Sequence, residues 1–380
     1  MIAENPKPIR IAQVVSGMVP AGLETWLMRV LRRIDRRRFR FDFITNVDQP
    51  CFFDEEILSL GSRVLRCPSP KRPWAYRRAL FHTLREQGPY DVVHSHLHHY
   101  SGFVLRVARQ AGVRVRIAHC HSDTSAAQAR ANLLRRLYLR TTERWIDRCA
   151  THGLAVSPAA GSALFPKWNS DPRWRVLYCG VETDLFHSAA DKEATRRELG
   201  LPPESLVIGH VGTFREPKNH RFLVKVAATV MAREPRARLL LVSDGPLRAE
   251  IEAQVRRLGI ADRVVFTGVV HDAVPLVRAA MDVFLFPSLW EGLPVSVIEA
   301  QAAGVPCVLS DVITSDVIVV PALVERLPLA APIAQWADAV LAKATHTPPA
   351  VRRQALSAVE SSPFDIRSSV RDLEQIYAQH

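Results

Sequence analysis

One stretch of the chain, residues 286–310, has the sequence FPSLWEGLPVSVIEAQAAGVPCVLS, in which strand, turn and helix signals follow one another directly. The run that enters it, residues 282–286, predicts a buried strand, and residues 291–294 predict a turn. A helix is expected from Val295 to Ala303, because a proline at its start lacks only an N–H that would have no intrahelical partner. Gly304 is expected to end that helix.

Two carboxylates in this stretch, Glu291 and Glu299, are separated by seven residues. The helix start leaves backbone N–H groups unpaired above the carboxyl end of the strand, where an anion or a sugar hydroxyl can satisfy them. We expect Glu299 to reach a hydroxyl pair such as a ribose, and Glu291 to face whatever is attached beyond the phosphates. Two glutamates alone are more often a solvated helix face. Here the small residues, glycines and prolines around them fit a turn, close helix packing and a C-cap, which favours an enzyme.

The pattern F-P-S-x-x-E-G-L-P-x-x-x-x-E-A-x-A-x-G-x-P resembles the signature of the retaining, two-domain GT-B glycosyltransferases of the family 4 type, typified by bacterial polysaccharide and glycolipid synthases. The resemblance implies an α/β fold of two Rossmann-like, doubly wound domains that face each other across a cleft. It also implies that Glu291 contacts the transferred sugar and Glu299 the ribose of the nucleotide. The neighbouring donor-binding residues are then Gly292, Leu293 and Val295.

The composition describes a globular protein, since 48% of its 380 residues are hydrophobic and 23% are charged. This length fits two domains of ordinary size. No apolar run reaches the roughly 18 residues that a membrane-spanning helix needs, and residues 1–6 lack the basic and apolar regions of a signal peptide. The six cysteines are scattered without a zinc-like spacing, which suits a reducing compartment. We therefore expect a cytoplasmic protein.

Short β-rich runs alternate with amphipathic stretches along the chain, which is typical of repeated βα units and parallel sheets. We predict an acceptor-binding domain at residues 1–180 and a nucleotide-sugar-binding domain at residues 181–362, joined near a strand and turn at residues 175–186. From the resemblance, residues 363–380 form a terminal helix that crosses back to the first domain. The predicted strands span residues 9–15, 41–45, 63–67, 91–94, 114–119, 153–156, 206–211, 238–242, 264–267, 282–286, 306–309 and 324–327.

The charge is uneven along the chain. Residues 1–175 carry 29 Lys and Arg against 14 Asp and Glu, a balance of +15, and the remainder carries 21 against 24, a balance of −3. Two blocks in the first half, residues 29–40 and 71–81, mix arginine with aromatic and aliphatic residues. They are equally compatible with solvated helix faces and with an anionic membrane surface that presents a lipid-linked acceptor. Nucleic acid is not an expected partner, because no recognised binding motif accompanies the charge.

The loop at residues 212–220, GTFREPKNH, follows the first predicted strand of the second domain and precedes its first helix, where phosphate-binding loops lie. Arg215 and Lys218 supply two cations that can clamp a departing diphosphate. The loop resembles the family's G-R-x-x-x-x-K, whose Arg and Lys hold the donor phosphates. Lys218 matches, Thr213 stands at the arginine position, and we expect Arg215 to take over that role. The alternative is that both are solvated cations on a loop.

Histidines cluster at the ends of two neighbouring strands, at positions 94, 96, 98, 99 and 121. We expect no metal there, because no ligating carboxylate follows at a plausible spacing. The first pair resembles the family's H-x-H, whose second histidine, here His96, approaches the sugar and the reaction centre, where a neutral imidazole can hydrogen-bond the sugar. His98, His99 and His121 are candidates to line the acceptor pocket, with ordinary packing as the equal alternative.

Weaker motifs complete the predicted donor site. Gly22 and Glu24, in the loop after the first strand, resemble the family's G-G-x-E, whose backbone lies near the phosphates and the acceptor. Asp244 and Gly268 belong to strand-end motifs that resemble the family's G-D-G-P-x-R and F-x-G. Both are expected to form the wall against the nucleobase and ribose.

The resemblance covers nearly the whole chain and implies a retaining glycosyltransferase that moves a sugar from a nucleoside diphosphate sugar to a glycan or lipid-linked acceptor in cell-surface polysaccharide assembly. The expected catalytic residues are Glu291, His96, Arg215 and Lys218, with no cofactor and no metal, and the expected location is the cytoplasm or the inner face of the plasma membrane. Front-face attack and double displacement both stay open. Two other functions stay open as well: a GT-B epimerase or phosphorylase, and an inactive GT-B binding or scaffold subunit.

Overall fold

The computed structural model describes residues 7–125, 128, 131–188 and 190–379. Residues 1–6, to which the signal-peptide expectation applies, lie outside the described residues. The chain divides into two compact units. Met1–Cys179 and Ile366–His380 form the first, called the N-unit below, and Gly180–Asp365 forms the second, called the C-unit.

The N-unit is a parallel sheet covered by helices. Its strands are β1 (Ile9–Val14), β2 (Phe39–Thr45), β3 (Arg63–Arg66), β4 (Val92–Ser95), β5 (Val115–Cys120), β6 (His152–Ala155) and β7 (Trp174–Val176). Its helices are α1 (Gly22–Arg33), α2 (Asp54–Ser59), α3 (Pro73–Glu86), α4 (Ser101–Gln110), α5 (Leu133–Cys149) and α6 (Pro158–Leu164). The seven strands lie in the order β3-β2-β1-β4-β5-β6-β7, and each pairs with its neighbours in parallel.

The central strands of the N-unit are buried on both faces, because helices cover both sides of a parallel sheet. In β1, Ile11, Ala12 and Val14 are fully buried, as are Val92 and Val93 of β4. On one face of these two strands, the buried polar side chains of Gln13 and His94 interrupt this apolar pattern. Those exceptions lie at the carboxyl ends of the strands and form part of the site described below.

The C-unit repeats the architecture with six strands. These are β8 (Leu206–Val211), β9 (Ala237–Val242), β10 (Val264–Gly268), β11 (Val283–Phe286), β12 (Cys307–Ser310) and β13 (Val324–Leu327), in the order β10-β9-β8-β11-β12-β13. Its helices are α7 (Lys192–Glu198), α8 (His220–Arg233), α9 (Arg248–Arg257), α10 (Val274–Ala280), α11 (Val295–Ala302), α12 (Ile333–His346) and α13 (Pro349–Glu360). All five strand pairs are parallel.

The last helix, α14 (Ile366–Tyr377), belongs to the N-unit although it follows the C-unit in sequence. Its apolar residues recur at helical spacing, so that Val370, Leu373 and Tyr377 are all buried on one face. The ring of Tyr377 lies edge-on to Phe41, with ring centroids 5.9 Å apart. The helix therefore completes the core of the N-unit.

Each sheet reverses its strand order at one point. In the N-unit β1 is flanked by β2 and β4, and in the C-unit β8 is flanked by β9 and β11. The connections from the two central strands leave in opposite directions there, which opens a crevice at the carboxyl ends of the strands. Ligands of doubly wound proteins bind in such crevices. A ligand site is therefore expected at the loops after β1 and β4 in the N-unit, and at those after β8 and β11 in the C-unit.

The predicted strands are present, with ends moved by at most two residues. Asp282 was expected inside a strand and directly precedes β11, where its backbone N–H donates to the carbonyl of Val207 at 2.9 Å. Its carboxylate accepts from the backbone N–H of Val207 at 2.8 Å and pairs with Arg196 at 2.6 Å. The prediction of two Rossmann-like α/β domains is confirmed. In the described part of the chain, no helix is long and apolar enough to cross a membrane.

Candidate functional site

The two loops at the switch point of the C-unit are bonded to each other. The backbone N–H of Leu289, after β11, donates to the carbonyl of Pro217, after β8, at 2.7 Å. The side-chain amide of Asn219 donates to the carbonyl of Pro287 at 3.0 Å. Asn219 has a left-handed backbone (φ 52°) between the short 3-10 turn Glu216–Lys218 and α8. This reversal brings the predicted phosphate loop against the start of the E-x7-E stretch.

Lys218 and Glu291 meet where these loops touch, and we call this pair the ion-pair site. The Nζ of Lys218 lies 2.7 Å from Oε1 of Glu291, and their side chains are only 19% and 12% exposed. The same Nζ lies 4.9 Å from the centre of the Phe286 ring. A partly desolvated pair is less screened than a surface pair, so each charge constrains the other. The structure thus brings together two residues predicted from separate motifs.

Gly212 leaves room for the stem of Lys218. A Cβ at this position would lie 2.9 Å from Nε2 of His210 and 3.2 Å from Cδ of Lys218. His210 is itself fixed, because its Nδ1 bonds to the carbonyl of Leu285 at 2.9 Å. A larger residue at position 212 would therefore displace the lysine or the β8–β11 contact.

The other predicted residues of the E-x7-E stretch follow at the start of α11. Pro294 is the N-cap of this helix and contributes no side-chain hydrogen bond. The N–H of Val297 donates to the Pro294 carbonyl at 3.0 Å, so the N–H groups of Val295 and Ser296 are the ones left for solvent or a ligand. Glu299 lies inside the helix and is 5% exposed. Gly292 is buried, whereas Leu293 and Val295 are partly exposed.

Arg215 is exposed to solvent, unlike the two residues of the ion-pair site. It is the N-cap of the 3-10 turn that contains Lys218, and its side chain is exposed. Its backbone N–H donates to the carbonyl of Thr213 at 2.7 Å. The arginine predicted to assist Lys218 is thus on the same loop but is not held by it.

Asp244 and Gly268 are joined to the phosphate loop through the backbone. The N–H of Phe214 donates to the carbonyl of Asp244 at 3.0 Å, and the N–H of Ser243 donates to the carbonyl of Gly268 at 3.0 Å. Arg248 fixes the Asp244 carboxylate at 3.0 Å. The ends of β8, β9 and β10 therefore form one connected rim, which contains the residues expected to face the nucleobase and ribose.

In the N-unit, histidine side chains lie at the corresponding strand ends, where the C-unit has an ion pair. His94 and His96 of the β4 end, and His119 and His121 of the β5 end, point to the same face because alternate residues of a strand share a face. With Gln13 of β1 and Tyr377 of α14 they form a set that we call the histidine network. Its contacts are His94 to Tyr377 (2.8 Å), His94 to His119 (3.1 Å), His96 to His121 (2.9 Å), His96 to Gln13 (2.9 Å) and Gln13 to Tyr377 (3.0 Å).

The rings of this network are uncharged at neutral pH. Burial holds the pKa of His94, His96 and His119 well below the ordinary histidine value. Burial and the nearby His98 lower the pKa of His121 to about 3. Burial removes the water that would solvate the imidazolium form, so the neutral form of each ring is favoured.

Nitrogens of His94, His96 and His119 all lie within 4.8 Å of one another, a spacing that a cation could bridge. Two of them, Nε2 of His94 and Nδ1 of His119, already bond to each other at 3.1 Å. These donors thus suit a hydrogen-bonded chain, and the prediction of a site without metal stays a prediction.

His98 and His99 lie outside the histidine network. They line a cavity of about 260 Å³ together with Thr124, Gln128, Arg135 and Tyr138. His98 has a left-handed backbone (φ 49°), and its Nε2 bonds to the carbonyl of Ser122 at 3.2 Å. The structure therefore separates the three predicted acceptor residues, with His98 and His99 in the cavity and His121 in the network.

Gly22 begins α1 at the switch point of the N-unit. A Cβ built there meets no heavy atom within 4 Å in the described part of the chain. Glu24, two residues later, is buried. The fold itself thus has no steric need for glycine at position 22, and the role of Gly22 beside a bound donor stays a prediction.

Sequence reasoning missed Gln13, His119 and Tyr377. The signal for His119 was available, because His119 and His121 repeat the H-x-H spacing of His94 and His96 on the next strand. Nothing in the sequence indicated the partner of His94, since Tyr377 is 283 residues away.

Comparisons with known proteins bear on both units. A family model described as glycosyltransferase family 4 matches residues 20–185, and one described as glycosyl transferases group 1 matches residues 205–345. EpsF of Bacillus subtilis (strain 168) is 38% identical over 379 residues, which cover 98% of this chain and 97% of EpsF. The chain belongs to glycosyltransferase family 4. It is a glycosyltransferase, as the sequence predicted.

This family 4 glycosyltransferase has two further similarities, one in sequence and one in structure. The UDP-Gal:alpha-D-GlcNAc-diphosphoundecaprenol alpha-1,3-galactosyltransferase of Escherichia coli is 27% identical over 62% of this chain and 61% of its own length. A crystal structure of Anabaena HepE in complex with UDP-glucose matches 98% of this chain and all of that chain, with a TM-score of 0.79 and 19% identity. The second similarity supports the GT-B fold.

Proposed function

We propose that this glycosyltransferase moves a sugar, with retention of anomeric configuration and without a metal, from a nucleoside diphosphate sugar to a glycan or lipid-linked acceptor of a cell-surface polysaccharide. The observation that carries the proposal is the ion-pair site, where a cation and a carboxylate from two motifs meet at the switch point of the C-unit. The cation of Lys218 and the unpaired N–H groups at the start of α11 can bind phosphates, and the carboxylate of Glu291 can accept hydrogen bonds from sugar hydroxyls.

In this proposal, separate groups of residues bind the diphosphate and the nucleoside of the donor. Lys218 and the start of α11 bind the diphosphate, and Arg215 swings onto it from the exposed part of the loop. Glu299 binds the ribose, and the rim formed by Asp244 and Gly268 faces the nucleobase. The HepE complex supports a UDP-sugar as one donor class, because a protein of similar fold binds UDP-glucose.

Transfer requires that the glycosidic bond to the diphosphate break while the sugar gains positive charge. Lys218 stabilises the negative charge that grows on the leaving phosphate. Glu291, held by Lys218, is oriented to accept hydrogen bonds from the sugar, which fits the expectation that it positions the sugar. The leaving phosphate oxygen takes the proton of the attacking hydroxyl when attack is on the front face.

The acceptor is assigned to the N-unit. The cavity beside His98 and His99 supplies one cation, Arg135, and several hydrogen-bonding groups, which suit a sugar attached to a phosphate. The name of the Escherichia coli relative, which specifies a diphosphoundecaprenol-linked acceptor, supports the lipid-linked class.

A panel of UDP-, GDP- and ADP-sugars, with lipid and glycan acceptors, tests the proposal. We expect one donor to give a product whose anomeric configuration, read by proton NMR couplings, equals that of the donor. A product of inverted configuration would contradict retention, and an epimerised donor formed without acceptor would favour the epimerase. If no donor in the panel binds or reacts, the inactive-subunit alternative gains.

We also propose that the protein binds an anionic membrane surface, and the structure changes which residues support this. In the basic block at residues 29–40, Arg32 is held by both oxygens of Glu56, at 2.7 and 2.9 Å, and Arg29 is buried. In the second block, Trp74 at the start of α3 is 81% exposed. Both blocks are thus partly used inside the protein, since Tyr76 of the second is buried and Arg77 donates to Gln110 at 3.1 Å, and Trp74 is the aromatic residue left exposed to meet a membrane.

The start of α5 adds a surface that the sequence analysis did not single out. Leu133, Leu134 and Leu137 are 82%, 78% and 62% exposed, and they alternate with exposed arginines at positions 135, 136 and 140. Exposed leucines among arginines are typical of helices that lie in an anionic membrane interface. In parallel βα units the helix start lies at the carboxyl edge of the strands, so this surface adjoins the proposed acceptor cavity, which Arg135 lines.

Sedimentation with vesicles tests the membrane proposal. We expect salt-sensitive binding to anionic vesicles and little to zwitterionic ones. The triple variant Leu133→Ser, Leu134→Ser, Leu137→Ser is expected to lose most of the binding. Leu58→Ser is the matched control, because Leu58 is 58% exposed on α2 of the same unit. Equal binding by the triple variant and the control would contradict the assignment.

A further inference from the structure

The hydrogen bonds of the histidine network run in one direction. The Oε1 of Gln13 can only accept, so Nε2 of His96 carries a proton and donates to it at 2.9 Å. Neutral His96 then has a bare Nδ1, which accepts from Nε2–H of His121 at 2.9 Å. Neutral His121 is left with a bare Nδ1.

A second chain starts from the same amide. The side-chain N–H of Gln13 donates to the Tyr377 oxygen at 3.0 Å, and the Tyr377 hydroxyl donates to Nδ1 of His94 at 2.8 Å. His94 therefore donates through Nε2 to Nδ1 of His119 at 3.1 Å. Reversing the Gln13 amide would reverse every bond of both chains, so Gln13 and its partner Tyr377 determine the tautomer of all four rings.

Among the network rings of the described residues, two nitrogens lack a strong partner: Nε2 of His119, which is fully buried and unpaired, and Nδ1 of His121. Both nitrogens of His96 are engaged, and this residue is 7% exposed. His121 is half-buried, and its Nδ1 faces the thiol of Cys179 at 3.9 Å. A thiol is a weak hydrogen-bond donor, so a hydroxyl group can replace it at that nitrogen.

We propose that Gln13 and Tyr377 are positioning residues that lock His96 and His121 in one tautomer, so that Nδ1 of His121 accepts a hydrogen bond from a substrate hydroxyl. This inference rests on the proposed function, because the hydroxyl belongs to the acceptor or to the transferred sugar. His96 acts through His121, and the terminal helix takes part in the chemistry through Tyr377. A bare nitrogen binds the hydroxyl as a donor, whereas the opposite tautomer could bind the same hydroxyl only as an acceptor.

The tautomers are read directly by NMR. Long-range proton–nitrogen correlations of the full-length protein with ¹⁵N-labelled histidine report which ring nitrogen carries the proton, and His96→Gln and His121→Gln identify the signals. We expect Nε2–H on both rings of the unmodified protein. In Tyr377→Phe and in Gln13→Met we expect the nitrogen shifts of His121 to move toward a mixture of tautomers. Unchanged shifts in both variants would overturn the inference.

Kinetics supply the second measurement. We expect Tyr377→Phe to lower kcat about tenfold, the equivalent of one hydrogen bond, with the KM for the donor little changed. Tyr90→Phe is the matched control, because the Tyr90 hydroxyl bonds to Asp42 at 2.8 Å in the same unit. His121→Asn, which keeps an acceptor near the Nδ1 position, should retain more activity than His121→Ala. Equal kcat in Tyr377→Phe and Tyr90→Phe would overturn the role.

The two kinds of failure are distinguishable. If the unmodified protein transfers no sugar from any donor, the proposed function fails, while the NMR measurement still decides whether Gln13 and Tyr377 set the tautomers. If transfer occurs but neither variant changes the tautomers or kcat, only this inference fails.

Discussion

The two units have the same crevice at their switch points, but charged side chains line one crevice and neutral rings line the other. In the C-unit the loops after β8 and β11 meet through two opposite charges, Lys218 and Glu291, which are largely but not fully buried. In the N-unit the strand ends meet through neutral rings, and burial holds the pKa of His96 well below its usual value. One crevice is therefore equipped to attract charged groups, and the other to bind hydroxyl groups in one hydrogen-bond direction.

The largest expected effect concerns the charged crevice. Glu291→Ala should lower kcat by about two to three orders of magnitude, because a preorganised group that contacts the reacting sugar is lost. Transfer of radiolabelled sugar measures this. Glu250→Ala is the matched control, since it removes the exposed Arg221–Glu250 pair of the same unit. A Glu291→Ala enzyme as active as the control would contradict the site assignment.

The neutral crevice should make the N-unit sensitive to acid. The folded-state pKa of each network histidine lies below its unfolded value of about 6.5, so the unfolded state binds more protons and stability falls as the pH drops below that value. Each of the four rings should cost about 1 kcal/mol between pH 7 and 5.5. The C-unit has two comparable rings, His210 and His220, and the latter has a pKa lowered to about 4.

Hydrogen exchange at pH 7 and pH 5.5, corrected for the intrinsic rates, measures this difference. We expect the opening free energy of the N-unit sheet to fall by at least about 2 kcal/mol more than that of the C-unit sheet, because the network has two more rings and burial also lowers the pKa of His98, His99 and His152 in the N-unit. An equal loss in both units would show that the rings are not held neutral by the fold.

The smallest expected effect compares the glycines of the two crevices. Gly212→Ala should lower stability by about 1 kcal/mol and also reduce transfer, because its Cβ would press on His210 and Lys218. Gly22→Ala meets open space, so it should keep or slightly raise stability, and any loss of transfer would come from a ligand that approaches the backbone. Thermal unfolding and transfer rates separate the two. Equal destabilisation by both changes would contradict the comparison.

Much of the fold and part of the site could be predicted from the sequence, for a physical reason. The parallel strands are short apolar runs between turn residues, so local composition marks them, and their ends needed shifts of at most two residues. Lys218 and Glu291 were found because each lies in a local motif. Their contact at 2.7 Å was not predictable, since it depends on how the left-handed Asn219 and the Leu289–Pro217 bond join two distant loops.

The histidine network shows the limit of local reasoning more clearly. The spacing of His94 and His96 indicated a strand-end site, but the tautomers depend on Gln13 from β1 and Tyr377 from the last helix. The exposure of Arg215 was also not readable, because a βα loop of the same sequence can fold its arginine inward or outward. Contacts between residues far apart in the chain decide these features.

A calorimetric titration of nucleoside diphosphate sugars into the unmodified protein and into Lys218→Met tests most directly whether Lys218 and Glu291 form the donor site. We predict that one base series binds the unmodified protein and that the affinity falls about 30-fold in Lys218→Met, the scale of one charge-assisted hydrogen bond. Equal affinity for the two proteins, or no binding of any nucleotide sugar to the unmodified protein, would contradict a donor site at Lys218 and Glu291.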